Sequence, residues 1–369
     1  MEAARCFLAG KRRFLVPLAI SASAKALAAF WIHSLLSRGG SFWTHFMRHW
    51  GKAGPPEGSP AYLFCGFDSG WYVDIAKGGY AYPKFAFMPA YPALIRALGS
   101  AIGDYWWAAI AIAWMASFAS LPLFQAIAER YMERAEAMWA TLLMAFFPHI
   151  FAFTSIAYSE SLFLFLCLVA WLSHIRGKEP ISAAAMAMAA LSRPYGIIMA
   201  IPVALDLLAR RDFRRMAWLI SPLSSLALWG IFCHLYAGDW MATLTQQEYW
   251  ARLGMPYGVL RAYIWSAIVE GERLPLLNYY LVAFIALMGY LAFSSTRADW
   301  RLGAFSSVGY VALLAMGTLP SLSRFLSFLF PIWLSIRLRS HIAGAAALAA
   351  SFPFGLALWL WFLQGSLVG

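Results

Sequence analysis

The sequence predicts an all-α, polytopic membrane protein, and three observations carry that prediction. Hydrophobic residues fill 62% of the 369 positions and charged residues only 12%. A soluble domain carries about 25% charged residues, so too little polar surface is left here to clothe a water-soluble core. Apolar stretches near the ~20 residues that a helix needs to cross a bilayer recur along the chain. Between them Lys and Arg fall in short clusters, which is how cytoplasmic loops are marked.

Hydropathy gives about eleven spans. They cover 14–36, 106–128, 136–156, 159–175, 181–192, 195–209, 216–236, 276–296, 302–319, 325–337 and 342–364. The fifth and tenth are short, so they begin or end at a depth where irregular backbone is buried in protein or faces water. The run from Phe14 to Leu36 follows Arg5, Lys11, Arg12 and Arg13 as a signal peptide would. It exceeds the ~7–15 residues of a signal h-region and reads as an uncleaved first span.

Charge orients the spans. Arg130 and Arg134, Arg176 and Lys178, the run Arg210, Arg211, Arg214 and Arg215, Arg297 with Arg301, and Arg337 with Arg339 share one side with the N-terminal tail. The positive-inside rule makes that side cytoplasmic. The other face then carries two loops, 37–105 and 237–275, both long by ordinary connection statistics. Residues 86–102 inside the first loop read as an interfacial helix rather than a span. Pro89 and Pro92 favour a helix start, and Arg96 would be costly at mid-bilayer. No tandem repeat is present, and the chain reads as one membrane domain, 1–369.

The net charge of +11 does not indicate nucleic acid, because the basic residues sit in separated clusters rather than on a continuous basic face. Cys6, Cys65, Cys167 and Cys233 form no disulfide framework, since only Cys65 falls in a non-cytoplasmic loop. No HxxxH pattern supports a metal held by side chains.

Four segments have residues suited to chemistry. FDSGWYVDIAKGGYAYPKFAFMP, 67–89, sets Asp68 and Asp74 among Trp71, Tyr72, Tyr80, Tyr82 and Phe87. A carboxylate there can take a proton from a hydroxyl; an aromatic belt at headgroup level is the structural alternative. FPHIFAFTSIAYSESLF, 147–163, holds His149, Tyr158, Ser159 and Glu160. Glu160 either caps a helix dipole or points into a cavity. SRPYG, 192–196, brings Arg193, and SLSRFLSFLFP brings Arg324. A guanidinium fork suits phosphate oxygens, and snorkelling to headgroups is the alternative. TQQEYWARLGMPYG, 245–258, offers Gln246, Gln247, Glu248, Trp250 and Arg252 to a polar ligand, or forms an amphipathic helix on the membrane. Lys25, inside the first span, has no role assigned from its position.

Taken together, FDSGWY, IAKGGY and FAFMPAYPALIR resemble the first lumenal loop of PIG-V-type mannosyltransferases. YSESLF, SRPYG, QQEYWAR and SLSRFLSFLFP follow in that family's order, over about residues 60 to 335. The pattern departs at Pro194-Tyr195, where a Ser-Asn type pair is frequent, and at Ser323, where Pro is common. The length is closer to the bacterial branch than to the eukaryotic GPI enzymes.

The resemblance implies a GT-C glycosyltransferase-like fold with juxtamembrane helices in the first outer loop, and a location in the bacterial inner membrane with the active face periplasmic or extracellular. It implies transfer of mannose from a polyprenyl-phosphate sugar to a lipid or glycan acceptor. Asp68 matches the family's essential loop aspartate and becomes the expected general base. Arg193 and Arg324 are then expected to bind the donor phosphate. Trp71, Tyr72, Asp74, Glu160, Gln247, Trp250 and Arg252 are expected to contact sugars or orient hydroxyls. A departing monophosphate does not require a metal. A transporter or flippase would need paired halves around a midplane site, and none is visible in the sequence; a non-catalytic subunit would have no use for Asp, Arg and aromatics clustered on one face.

Overall fold

A computed structural model describes residues 2–38, 54–56, 58–249, 276–316 and 319–364. Every regular element among them is helical. Four helices are long and apolar enough to cross a membrane: Phe14–Leu35, Tyr105–Ala128, Phe213–Ala237 and His341–Leu363. They coincide with four spans expected from hydropathy, at 14–36, 106–128, 216–236 and 342–364. Asp104 starts the second of them by accepting the N–H groups of Trp106 and Trp107 at 2.8 and 3.0 Å, which satisfies donors that a helix start leaves unpaired.

The other apolar stretches are shorter or interrupted, for local reasons. The span expected over 136–156 divides into Arg134–Phe146 and Pro148–Phe153. Phe147 between them is extended, at φ −59° and ψ 134°, because the residue before a proline is pushed out of the helical region. Arg193 obeys the same rule before Pro194, at φ −144° and ψ 135°. The helix Glu179–Ser192 therefore stops there, and a 3₁₀ turn over Pro194–Met199 precedes Ala200–Ala209. The stretch expected at 325–337 likewise splits into a helix, Leu319–Ser327, and a 3₁₀ turn, Phe330–Ser335. Glu160–His174, Leu276–Ser294 and Trp300–Met316 match three further expected stretches. The segment expected to be interfacial forms a 13-residue helix, Ala90–Ile102, too short for the ~20 residues of a span.

The chain packs as two compact units. One comprises Met1–Lys77, Tyr91–Leu168 and Ile336–Leu367; the other comprises Gly78–Ala90, Val169–Ser335 and Val368–Gly369.

In the first unit, aromatic side chains tie the last spanning helix to the first loop. The Trp359 indole donates to the Leu63 carbonyl at 2.9 Å, and Phe362 packs on Phe67, Phe153 and Tyr158. The opposite end of that helix is held by the indole of Trp139, which donates to His341 Nδ1 at 3.1 Å.

The second unit contains a buried ionic network that the sequence did not announce. His174 lies between two carboxylates, Glu179 at 3.0 Å and Asp206 at 2.8 Å. Asp206 also pairs with Arg210 at 2.8 Å and with Arg301, whose guanidinium reaches Asp299 at 2.7 Å as well. The ends of four helical segments are joined in this way. Buried carboxylates are tolerated because each is paired and hydrogen-bonded.

Candidate functional site

The first unit brings FDSGWY and YSESLF together. Asp68 opens the helix Asp68–Gly78, and its backbone N–H donates to the Tyr158 hydroxyl at 3.0 Å. The hydroxyls of Tyr72 and Ser159 lie 2.9 Å apart in a hydrogen bond. Ser159 directly precedes the helix Glu160–His174, and Glu160 is 0% exposed. Tyr72 packs edge-on to Tyr91 and Tyr158, with ring centroids 5.0 and 6.2 Å away. Tyr91 in turn donates to the Ala109 carbonyl at 2.8 Å. Burial pushes its phenol well above the usual range, and Cys65, Tyr72 and Glu160 add to the shift.

The backbone leading into Asp68 is strained. Phe67 has φ +40°, a left-handed conformation that costs a bulky residue about 1–3 kcal/mol and persists only where its surroundings fix it. Those surroundings are visible. The Phe67 ring packs 5.0 Å from Phe362. A Cβ on Gly66 would lie 2.7 Å from the same Phe362 ring, so only glycine permits this approach. The Gly66 N–H donates to Ser69 Oγ at 3.2 Å. Asp68 therefore leaves a tight, specified turn with its side chain half-buried. A half-buried carboxylate at such a turn can be reached by a hydroxyl, which is one requirement of a general base.

Asp74 and Trp71, two further expected site residues on this helix, differ in exposure. Asp74 is exposed. It lies six residues beyond Asp68, on another side of the helix at 3.6 residues per turn. Trp71 is half-buried.

In the second unit the two expected phosphate-binding arginines meet on one ring. The guanidinium carbon of Arg193 lies 5.0 Å from the Phe325 centroid, and that of Arg324 lies 4.7 Å from it. The ring of Tyr195 is 5.9 Å from the same phenyl group. Arg324 is 6% exposed and donates to Ser321 Oγ at 3.2 Å. The SRPYG motif explains how Arg193 arrives. Pro194 holds Arg193 extended, and Gly196 lets the 3₁₀ turn lie against the preceding helix, where a Cβ would come within 2.2 Å of the Ala189 carbonyl oxygen. A guanidinium can stack on an aromatic ring while its N–H groups donate in the guanidinium plane.

The paired glutamines dock the second loop on the first. Gln247 Nε2 donates to the Ala86 carbonyl at 3.2 Å, and Gln246 Oε1 accepts the Phe85 N–H at 3.2 Å. One of the two N–H donors of the Gln247 amide is thus used on the backbone. Trp250 and Arg252 lie outside the described residues. Among the described residues no group of three His, Cys, Asp or Glu is placed to hold a metal ion.

Sequence reasoning missed Tyr158 as the partner of Asp68, and missed Phe325 and Phe362 altogether. Phe362 is an aromatic residue in an apolar span, and nothing in its neighbourhood distinguishes it before the chain is folded.

No protein-family model matches the chain, and no curated protein matches it. Among solved structures it is similar to the crystal structure of ArnT from Cupriavidus metallidurans in the apo state. The two are 14% identical, over 80% of this chain and 82% of that chain, with a TM-score of 0.35.

Proposed function

We propose that the chain is a membrane glycosyltransferase of the GT-C class. In this reading it moves mannose from a polyprenyl-phosphate donor to the hydroxyl of a glycolipid acceptor on the non-cytoplasmic face. The observation that supports it best is the setting of Asp68. A half-buried carboxylate follows a strained turn, its backbone is held by Tyr158, and aromatic rings that suit sugar faces pack around it.

The chemistry is a single displacement. Asp68 accepts the proton of the acceptor hydroxyl as that oxygen bonds to the anomeric carbon. The bond from the anomeric carbon to phosphate breaks, polyprenyl phosphate leaves with the electron pair, and the configuration inverts. General-base help of this kind contributes about 10²–10⁴-fold. Arg193 and Arg324 are assigned to the departing phosphate, where preorganised positive charge stabilises what develops in the transition state. Trp71 and Tyr72 are assigned to sugar faces. Glu160 is assigned to orientation of the base, and Asp74, Gln247, Trp250 and Arg252 to substrate hydroxyls and the acceptor side.

The topology expected from the positive-inside rule supports the lipid donor. Nucleotide sugars are cytoplasmic, whereas a polyprenyl phosphate presents its headgroup at the interface beside loops on either face. Purified protein, polyprenyl-phosphate [³H]mannose and a crude lipid acceptor test the proposal. Radiolabelled glycolipid formed by the wild type and lost in Asp68→Asn supports it. Donor moved across vesicles without transfer would instead mark a flippase.

A further inference from the structure

The segment Thr154–Ser159, between the helices Pro148–Phe153 and Glu160–His174, lacks continuous helical hydrogen bonding and is buried throughout. Backbone polar groups buried in a membrane protein need partners, and here they are identifiable. The Thr154 carbonyl accepts from Lys25 Nζ at 2.9 Å, and the Ser155 carbonyl accepts from the Trp114 indole at 2.9 Å. The Ala157 N–H donates to the Phe64 carbonyl at 2.7 Å. One residue further on, Tyr158 receives the Asp68 N–H.

Lys25 is the polar centre of this arrangement. It is 1% exposed and lies in the middle of the Phe14–Leu35 span. Besides the Thr154 carbonyl, Nζ donates to Thr154 Oγ1 at 2.8 Å and to Ser117 Oγ at 2.8 Å. These three acceptors use every donor of an ammonium group. The Thr154 hydroxyl donates its own O–H to the Ile150 carbonyl at 2.6 Å, which leaves its lone pairs for Lys25. The Phe118 ring lies 5.3 Å from Nζ. A cation in a span is costly, and all of this one's hydrogen bonds go to neutral oxygens, two of them on the residue where the backbone leaves the helix.

We propose that Lys25 is a positioning residue for the Asp68 site: by fixing the backbone at Thr154 it sets Tyr158 against Asp68 and Ser159 against Tyr72. The inference rests on the proposed role of Asp68 for its catalytic consequence, and on geometry alone for its structural one. Both are read in the full-length protein in lipid nanodiscs, with Lys25→Met as the main variant and Thr154→Val as a milder one that keeps the carbonyl.

Amide hydrogen exchange of Lys25→Met should quicken about tenfold in peptides covering 64–72 and 154–160 and stay unchanged over 220–237. Mannose transfer should lose about tenfold in kcat with donor KM within about twofold, the pattern of lost orientation rather than lost binding. Thr154→Val should show both effects at reduced size, and it stands in if Lys25→Met does not fold. Unchanged exchange in the two site peptides overturns the proposal. So does exchange that quickens evenly over all peptides, or a change confined to KM. If the wild type transfers no sugar, the glycosyltransferase reading fails while the exchange data still decide the role of Lys25.

Discussion

The backbone N–H of Asp68 donates to the hydroxyl of Tyr158 at 3.0 Å. These residues come from two motifs far apart in sequence, and the bond holds the start of the helix that carries the proposed base. Tyr158→Phe keeps the ring packing on Phe153 and Phe362 and removes the acceptor. Loss of a helix cap costs about 0.5–2 kcal/mol, so the protein should fold with a slightly lower Tm. Misplacement of a reacting group by about 1 Å can cost about 100-fold, so transfer should fall further than stability does. Thermal melting and initial rates on one preparation separate the two effects.

The setting of Asp68 was half legible. The carboxylate and the aromatics around it stand together in FDSGWY, which marked Asp68 as a candidate beside Asp74, and the resemblance to PIG-V-type mannosyltransferases singled out Asp68. Its partner Tyr158 was visible only as a polar residue in another motif. Phe362 and the strained turn at Phe67 depend on how a C-terminal helix packs against the first loop, and local sequence contains no sign of that.

Arg324→Lys should not substitute for arginine. Lysine keeps the charge but loses both the planar face on Phe325 and the fork of donors. The expected result is donor KM raised at least about tenfold with the acceptor KM unchanged. Phe325→Leu, which removes the ring shared by both arginines, should weaken donor use in the same direction. Steady-state kinetics with donor and acceptor varied separately check both variants.

Cys65 sits in the first loop, yet its thiol should be inert. Burial pushes its pKa well above the usual thiol range, and the nearby Asp104 carboxylate pushes it in the same direction. Only the thiolate attacks maleimides, and a raised pKa leaves less thiolate at any given pH. At pH 8 the folded protein in membranes should leave Cys65 unlabelled, and labelling should appear on denaturation. Peptide mass spectrometry after a short maleimide pulse reads this directly.

Asp206→Ala should be among the more destabilising single changes in the second unit. It removes the carboxylate that His174, Arg210 and Arg301 share, leaving His174 with Glu179 alone and Arg301 with Asp299 alone. Breaking a buried ion pair by removing one partner costs about 3–5 kcal/mol. A large drop in Tm in detergent, with little labelled product because little protein is folded, is the expected outcome.

The spans show the same division between what sequence reveals and what it hides. Four were plain because long apolar windows are bounded by polar residues, as Asp104 bounds Tyr105–Ala128. The stretch at 136–156 read as one helix because its composition is uniformly apolar, and the break depends on Pro148 acting on Phe147. The buried network was hidden for another reason. Arg210 and Arg301 were read as loop charges, and the pairing of Arg301 with Asp206 requires two separate helix ends to meet.

The central claim is that Asp68 is the base of a sugar-transfer reaction, and Asp68→Asn tests it most directly. Asparagine preserves size and the backbone N–H but cannot take the proton. Transfer of mannose from polyprenyl-phosphate mannose by the purified variant should fall by about 10²–10⁴-fold, with Tm near that of the wild type. Near-normal transfer by Asp68→Asn would contradict the account.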